Sequence, residues 1–167
     1  LSAADPVKLE RAVGEVVSAL DFARGEALRT GAPHGLRLST TEHRLRVFRV
    51  DASTTPPGED YTVRHPVSRQ LYDVRLAETA PVRLTAATFS FTDASSGSEA
   101  AFNARGAPGY ASGASSFVLL TAGQVDVSLG REARSVLLAP ETGRVATPEQ
   151  AADAHRRAGV ETEGIDL

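Results

Sequence analysis

The chain has 167 residues, 41% of them hydrophobic and 23% charged, with a net charge of −3. That length supports one domain with a real core, and that charge excludes bulk attraction to nucleic acid or to a membrane surface as its organising feature. Cysteine is absent, which excludes disulfides and thiolate metal sites and is compatible with either redox compartment.

The first element is a helix. Asp5-Pro6 supplies an N-cap and a first-turn proline, and Gly31 closes it in the left-handed conformation. Between them Leu9, Val13, Val16, Leu20, Ala23 and Ala27 recur at helical spacing, placing one narrow apolar seam along a rod of roughly 37 Å. No apolar run is long enough to span a membrane. Methionine is absent and the chain begins at Leu1, which predicts a precursor with residues upstream of a helix already running.

After Gly31 the period changes to two. His34, Leu36 and Leu38 alternate with Gly35, Arg37 and Ser39, and Arg44-Leu45-Arg46-Val47 alternates again after a turn at Thr40 to His43. This predicts a hairpin with Arg37, Arg44 and Arg46 on its wet face. Residues 51–70, which hold Pro56-Pro57-Gly58 and Pro66, read as a long irregular loop. Strands are expected at 71–76, 82–91, 100–103, 117–122, 125–129, 134–139 and 144–146, separated by Gly/Ser turns. Such spacing without βαβ alternation means antiparallel sheet. Thr147-Pro148-Glu149-Gln150 opens a short helix as a capping box, Gly159 is expected to end it, and the acidic residues after it to fray.

No catalytic, cofactor or metal constellation emerges. His34, His43, His65 and His155 lie on separate elements without ligand spacing, and no Ser-based elbow, P-loop or dinucleotide glycine run occurs. The segment from Asp93 to Glu99 alternates oxygen side chains around Gly97, a pattern suited to calcium. It has few carboxylates, and an ordinary Ser/Gly turn is the expectation.

Three segments carry a resemblance. The helix ends Ala23-Arg24-Gly25-Glu26-Ala27-Leu28-Arg29-Thr30-Gly31, with Glu26 and Arg29 spaced to pair. Later come Ala101-Phe102-Asn103-Ala104-Arg105-Gly106-Ala107-Pro108, where glycine and proline are expected to end a strand, and a turn at Pro140-Glu141-Thr142-Gly143 before Arg144. In this order the set resembles the GspH/FimT-type pseudopilins and minor pilins, over roughly residues 7–147. The resemblance implies a pilin-like α+β fold, with a long N-terminal helix packed on antiparallel β-sheet. Residues 1–31 would be the second half of the stalk helix, 32–147 the β-rich head, and 148–167 a short helix and tail.

It further implies a structural subunit of a type II secretion pseudopilus or type IV pilus, near the filament tip, and not an enzyme. Leu9, Val13, Val16 and Leu20 would serve helix packing and assembly. The implied partners are other pseudopilins or minor pilins, prepilin peptidase acting on the precursor, and the inner membrane through an apolar half-helix that this sequence lacks. The head would lie in the periplasm or outside. A FimT-like minor pilin binding DNA during uptake is the alternative, with Arg144, Arg156 and Arg157 as contacts. Ala146 stands where that branch carries a second arginine, and Glu149, Glu161 and Glu163 lie nearby. A secreted β-rich enzyme or ligand-binding domain is the third reading.

Overall fold

The computed structural model describes residues 5–78 and 81–165. Helix α1 spans Asp5–Thr30. Gly31 follows at φ +75° and donates its N–H to the Ala27 carbonyl at 2.9 Å, which closes the helix as a left-handed glycine does. Leu9, Val13, Val16, Leu20, Ala23 and Ala27 are all buried, and Ala12 and Ala19 are buried beside them. The apolar face is therefore wider than a single seam, because α1 lies against two leaves of sheet at once.

The strands are β1 (His34–Ser39), β2 (Arg44–Asp51), β3 (Gly58–Asp60), β4 (Asp73–Arg75), β5 (Arg83–Phe91), β6 (Ser96–Gly97), β7 (Glu99–Phe102), β8 (Pro108–Ala111), β9 (Phe117–Leu129), β10 (Glu132–Leu138) and β11 (Val145–Ala146). They hydrogen-bond in the order β11-β10-β9-β8-β7-β1-β2-β3, with β4 also on β2, β5 on β9, and β6 on β5. Every pairing is antiparallel. β9 joins the two leaves: its first residues pair with β8, and the remainder runs between β5 and β10.

The hairpin forms as its alternation requires. Leu36 pairs with Val47 and Leu38 with Leu45 on the core side, while Arg37 pairs with Arg46 and Ser39 with Arg44 on the other. Inward side chains of both leaves, including Phe89, Phe102, Val125, Val127, Val136 and Leu138, meet the α1 face in one core.

Four expectations are corrected. Residues 117–129 make one strand, not two, because Gly123 sits opposite Phe89 and leaves room for its ring; a Cβ there would lie 2.9 Å from the ring and 3.0 Å from Leu138 Cβ. Pro108 opens strand β8 rather than ending one, a first-residue position where its missing N–H costs nothing. The excursion after Asp51 is ordered, carrying β3 and a bridge between Arg64 and Leu71.

The fourth concerns helix α2, Pro148–Ile165, which continues through Gly159. Its capping box is present: Gln150 N–H donates to Thr147 Oγ1 at 3.2 Å, and Thr147 N–H donates to Gln150 Oε1 at 2.9 Å. The last two residues of the acidic tail lie outside the described residues.

Leu20 is fully buried where α1 meets the sheet. Leu20→Ala should lower unfolding free energy by roughly 2–5 kcal/mol, the range for a core leucine that leaves a cavity, read as a fall in the urea midpoint at unchanged slope.

Candidate assembly surface and the junction of three motifs

The three sequence segments that stood apart in the chain meet at one place. Arg24, halfway down the second half of α1, donates from Nε to the Gly106 carbonyl at 3.2 Å and to the Thr142 carbonyl at 3.1 Å. Those carbonyls belong to two different turns. The β7–β8 turn is organised by Asn103, whose Oδ1 accepts from the N–H groups of Arg105 and Ala107, each at 3.0 Å. Gly106 takes φ +79° within it, and a Cβ there would lie 3.0 Å from Arg24 Nε.

The β10–β11 turn closes through Gly143 N–H to the Ala139 carbonyl at 3.0 Å, with Gly143 at φ +69°. A Cβ on Gly143 would stand 2.7 Å from the Gly106 carbonyl oxygen and 3.1 Å from the Phe102 ring. Glycine is therefore required twice over, for the backbone angle and for the close approach. Phe102, the aromatic residue of the middle segment, is fully buried. One guanidinium thus ties the helix to a turn from each leaf of the sheet.

The end of α1 carries Glu26 and Arg29 as a two-pronged pair, with Arg29 Nε to Glu26 Oε1 at 3.0 Å and Nη2 to Oε2 at 2.7 Å. The outward face of α1 is uncovered: Val7 and Leu28 are exposed, and the space over Gly14 and Gly25 is open. Leu9, Val13, Val16 and Leu20 point the other way, into the chain's own core.

The three candidate DNA contacts are exposed. Arg144 lies in the turn before β11, and Arg156 and Arg157 lie on α2. Arg156 pairs with Asp153 one helical turn away. On the hairpin, Arg37 pairs with Glu59 and Glu99, and Arg44 with Asp73 through both carboxylate oxygens. Arg37 and Arg44 are thus paired with carboxylates of neighbouring strands, and Asp73 is held below the usual carboxylate range, Arg44 being the main cause.

Two histidines do work that spacing did not reveal. His34 is buried, with Nδ1 2.8 Å from the Ala32 carbonyl. His43, at the hairpin tip with φ +51°, accepts the Leu84 N–H on Nδ1 at 3.1 Å and the Leu76 N–H on its carbonyl at 2.9 Å. It links the first hairpin to the start of β5.

In the segment considered for calcium, Asp93 accepts from the Ser95 N–H and hydroxyl and from the Tyr110 hydroxyl. Glu99 lies instead beside Arg37, with Oε2 3.9 Å from Nη1. An open cleft of about 650 Å³ lies beside the α1–β1 connection. Its carboxylates are engaged locally, Asp51 by Ser53 and Asp60 by Thr62, and those hydrogen bonds hold both below the usual range.

A family model described as type II transport protein GspH matches residues 12–142. Among curated proteins, none matches the sequence. The fold is similar to that of the minor pseudopilin EpsH from the type 2 secretion system of Vibrio cholerae, at 13% identity and TM-score 0.53, over 84% of this chain and 95% of that one. It is similar also to the type IV minor pilin FimU of Pseudomonas aeruginosa, at 14% identity and TM-score 0.50, over 87% of this chain and 92% of that one.

Removing the shared donor leaves two carbonyls to find water or stay bare. Arg24→Ala should cost about 1–3 kcal/mol, the range for hydrogen bonds made by a charged group. Gly143→Ala should cost more, about 2–5 kcal/mol, since strain at positive φ adds to overpacking. Thermal unfolding of both variants against wild type checks the order.

Proposed function

The chain belongs to the GspH family of type II transport proteins, and on that footing we propose that it is a minor pseudopilin or minor pilin that assembles near the tip of a secretion or pilus filament. Membership of that family supports a structural role as an extracytoplasmic filament component. The observation that carries the proposal is the division of labour on α1. Its inner face is consumed by both leaves of the chain's own sheet, while its outer face keeps exposed Val7 and Leu28 and open space over two mid-helix glycines. A glycine within a helix costs about 1 kcal/mol relative to alanine. Among the described residues nothing lies within 4 Å of a Cβ at position 14 or 25, and a neighbour packed on that face would give these glycines a reason.

No helix among the described residues is long and apolar enough to cross a membrane. Inner-membrane anchoring by an apolar helical segment ahead of α1, exposed when prepilin peptidase removes a leader, is part of the proposal. Other pseudopilins or minor pilins are the proposed partners, and the loops of the head are the proposed subunit-specific contacts.

The test is fractionation of source cells that carry a tagged full-length precursor. The chain should appear in membrane and sheared-filament fractions, with its leader removed, and deletion should abolish filament assembly or secretion of the system's substrates. Recovery only as a free soluble protein, with assembly and secretion intact after deletion, contradicts the proposal. DNA retention on a low-salt column that disappears in Arg144→Ala would move the assignment to the DNA-uptake branch; the filament reading expects no retention.

A further inference from the structure

The chain between β2 and β4 doubles back over the outer face of the sheet. β3 pairs with β2 through Asp60 opposite Arg49 and Glu59 opposite Val50, and the segment returns with the Tyr72 N–H donating to the Val63 carbonyl at 2.8 Å. Beneath this strap lies an aromatic residue on the same side of the hairpin as Arg37, Arg44 and Arg46. Phe48 is 4% exposed and sits over Gly35, where a Cβ would stand 2.7 Å from the Phe48 ring. Tyr61 covers it edge-on at 6.0 Å between ring centroids, and the Arg46 guanidinium lies 4.0 Å over the Tyr61 ring.

The strap is fastened at one polar point. Glu59 Oε2 accepts from the Tyr61 hydroxyl and from Arg37 Nη1, the latter at 3.2 Å. Glu99, at the start of β7, brings a second carboxyl to the same place. The Glu99 side chain is 39% exposed overall, but its Oε2, 3.9 Å from Arg37 Nη1, is shut off from water and has no hydrogen-bond partner among the described residues. One guanidinium nitrogen, Arg37 Nη1, thus stands within 4 Å of two carboxyl groups, Glu59 at 3.2 Å and Glu99 at 3.9 Å. A buried acceptor without a donor is costly, and a proton shared with Glu59 would supply one.

We propose that Glu59 and Glu99 share a proton that latches the strap to the sheet, and that ionisation of Glu99 releases it. With the proton on Glu99, its hydroxyl donates to Glu59, and the cluster of Arg37, Glu59 and Glu99 is neutral. Without it, two carboxylates oppose each other beside a single guanidinium. Burial, then the hydrogen bond and charge of Glu59, push Glu99 up to about 8, against the opposing pull of Arg37. Burial works to raise Glu59 as well, but hydrogen bonds from Glu99, Tyr61 and Arg37 outweigh it and hold Glu59 low.

Arg37, from β1, is raised by its hydrogen bonds to Tyr61 and Glu59, and the Arg46 guanidinium, from β2, lies over the Tyr61 ring. Tyr61 is pushed up to about 12, mainly by burial. Tyr110, from β8, is raised by its hydrogen bond to Asp93. The sign follows from linkage. A carboxyl whose folded value lies above its ordinary 4.5 contributes stability that is complete below 4.5 and is lost as pH rises through about 8. The strap is therefore held most firmly in acid, and the hold weakens progressively from 4.5 until it is lost above about 8.

The strap carries the most exposed large hydrophobic side chain among the described residues, Val67, 83% exposed at the tip between Arg64 and Arg69. The tip is tied back to α1 by tilted ring contacts, His65 with Tyr72 at 4.6 Å between centroids and Tyr72 with Phe22 at 5.2 Å. The latch fixes the other end of the same segment, so its proton sets how rigidly that tip is presented.

The test is a titration of the folded protein with ¹³C-labelled glutamate carboxyls, following backbone amides in parallel. Glu99 should ionise near pH 8, and amides of residues 58–72 should shift with the same midpoint while those of α1 stay level. In Glu99→Gln the strap amides should show no inflection near pH 8. In Glu59→Gln the Glu99 midpoint should fall towards the ordinary carboxylate range. A wild-type Glu99 that ionises near 4.5 overturns the proposal, and so do strap amides that ignore the Glu99 midpoint. The wild-type titration alone decides the matter if either variant fails to fold.

Discussion

A helix that must lie on two leaves of sheet at once constrains everything else in this molecule. Ala12, Ala19, Ala23 and Ala27 keep the helix surface low where the leaves converge, and Leu9, Val16 and Leu20 fill the space between. The burial is apolar and non-directional, so by itself it would let the helix slide or rotate. Arg24 supplies direction. Its Nε reaches a carbonyl in the β7–β8 turn and another in the β10–β11 turn, one from each leaf. Gly106 and Gly143 then have to be glycine because the two turns and the guanidinium crowd into one small volume. His43 makes a similar link at the tip of the first hairpin, in the opposite sense, accepting a backbone N–H on its ring.

Much of this was legible in the sequence, for identifiable reasons. The helix, its closing glycine, the hairpin with its arginines outward and the capping box at Thr147 each rest on a local rule, and each formed where the rule put it. The three turn-like segments could be read as an ordered set and as good turns, but not as one junction. What joins them is a contact between residues 82 and 118 positions apart, and no local pattern encodes such a contact. Gly123 misled for the opposite reason: glycine in a strand signals a break until the Phe89 ring opposite it is known. The strap after Asp51 looked irregular because its order comes from Tyr61 covering Phe48 and from Glu59 reaching Arg37. Both are tertiary.

The two faces of α1 connect the fold to its proposed role. The residues expected to serve packing are fully used inside the chain, so assembly has to draw on the outer face and the loops. That arrangement suits a filament subunit, whose head must stay folded whether or not a neighbour is present. Among the loops, the strap is the segment with an apolar tip, a rigid aromatic tether and a titratable fastening, which separates it from the plain Ser/Gly turns elsewhere.

Because the chain contains no cysteine, a single Gly14→Cys or Gly25→Cys substitution places one unique thiol on the outer face of α1. Cross-linking from that thiol in cells that carry the complete secretion or pilus apparatus is the most direct measurement. The account predicts adducts with other pilin-class subunits from positions 14 and 25, and none from a control cysteine at exposed Arg131 on the β9–β10 turn. Adducts at neither helix position, in cells whose filaments assemble normally, would contradict it.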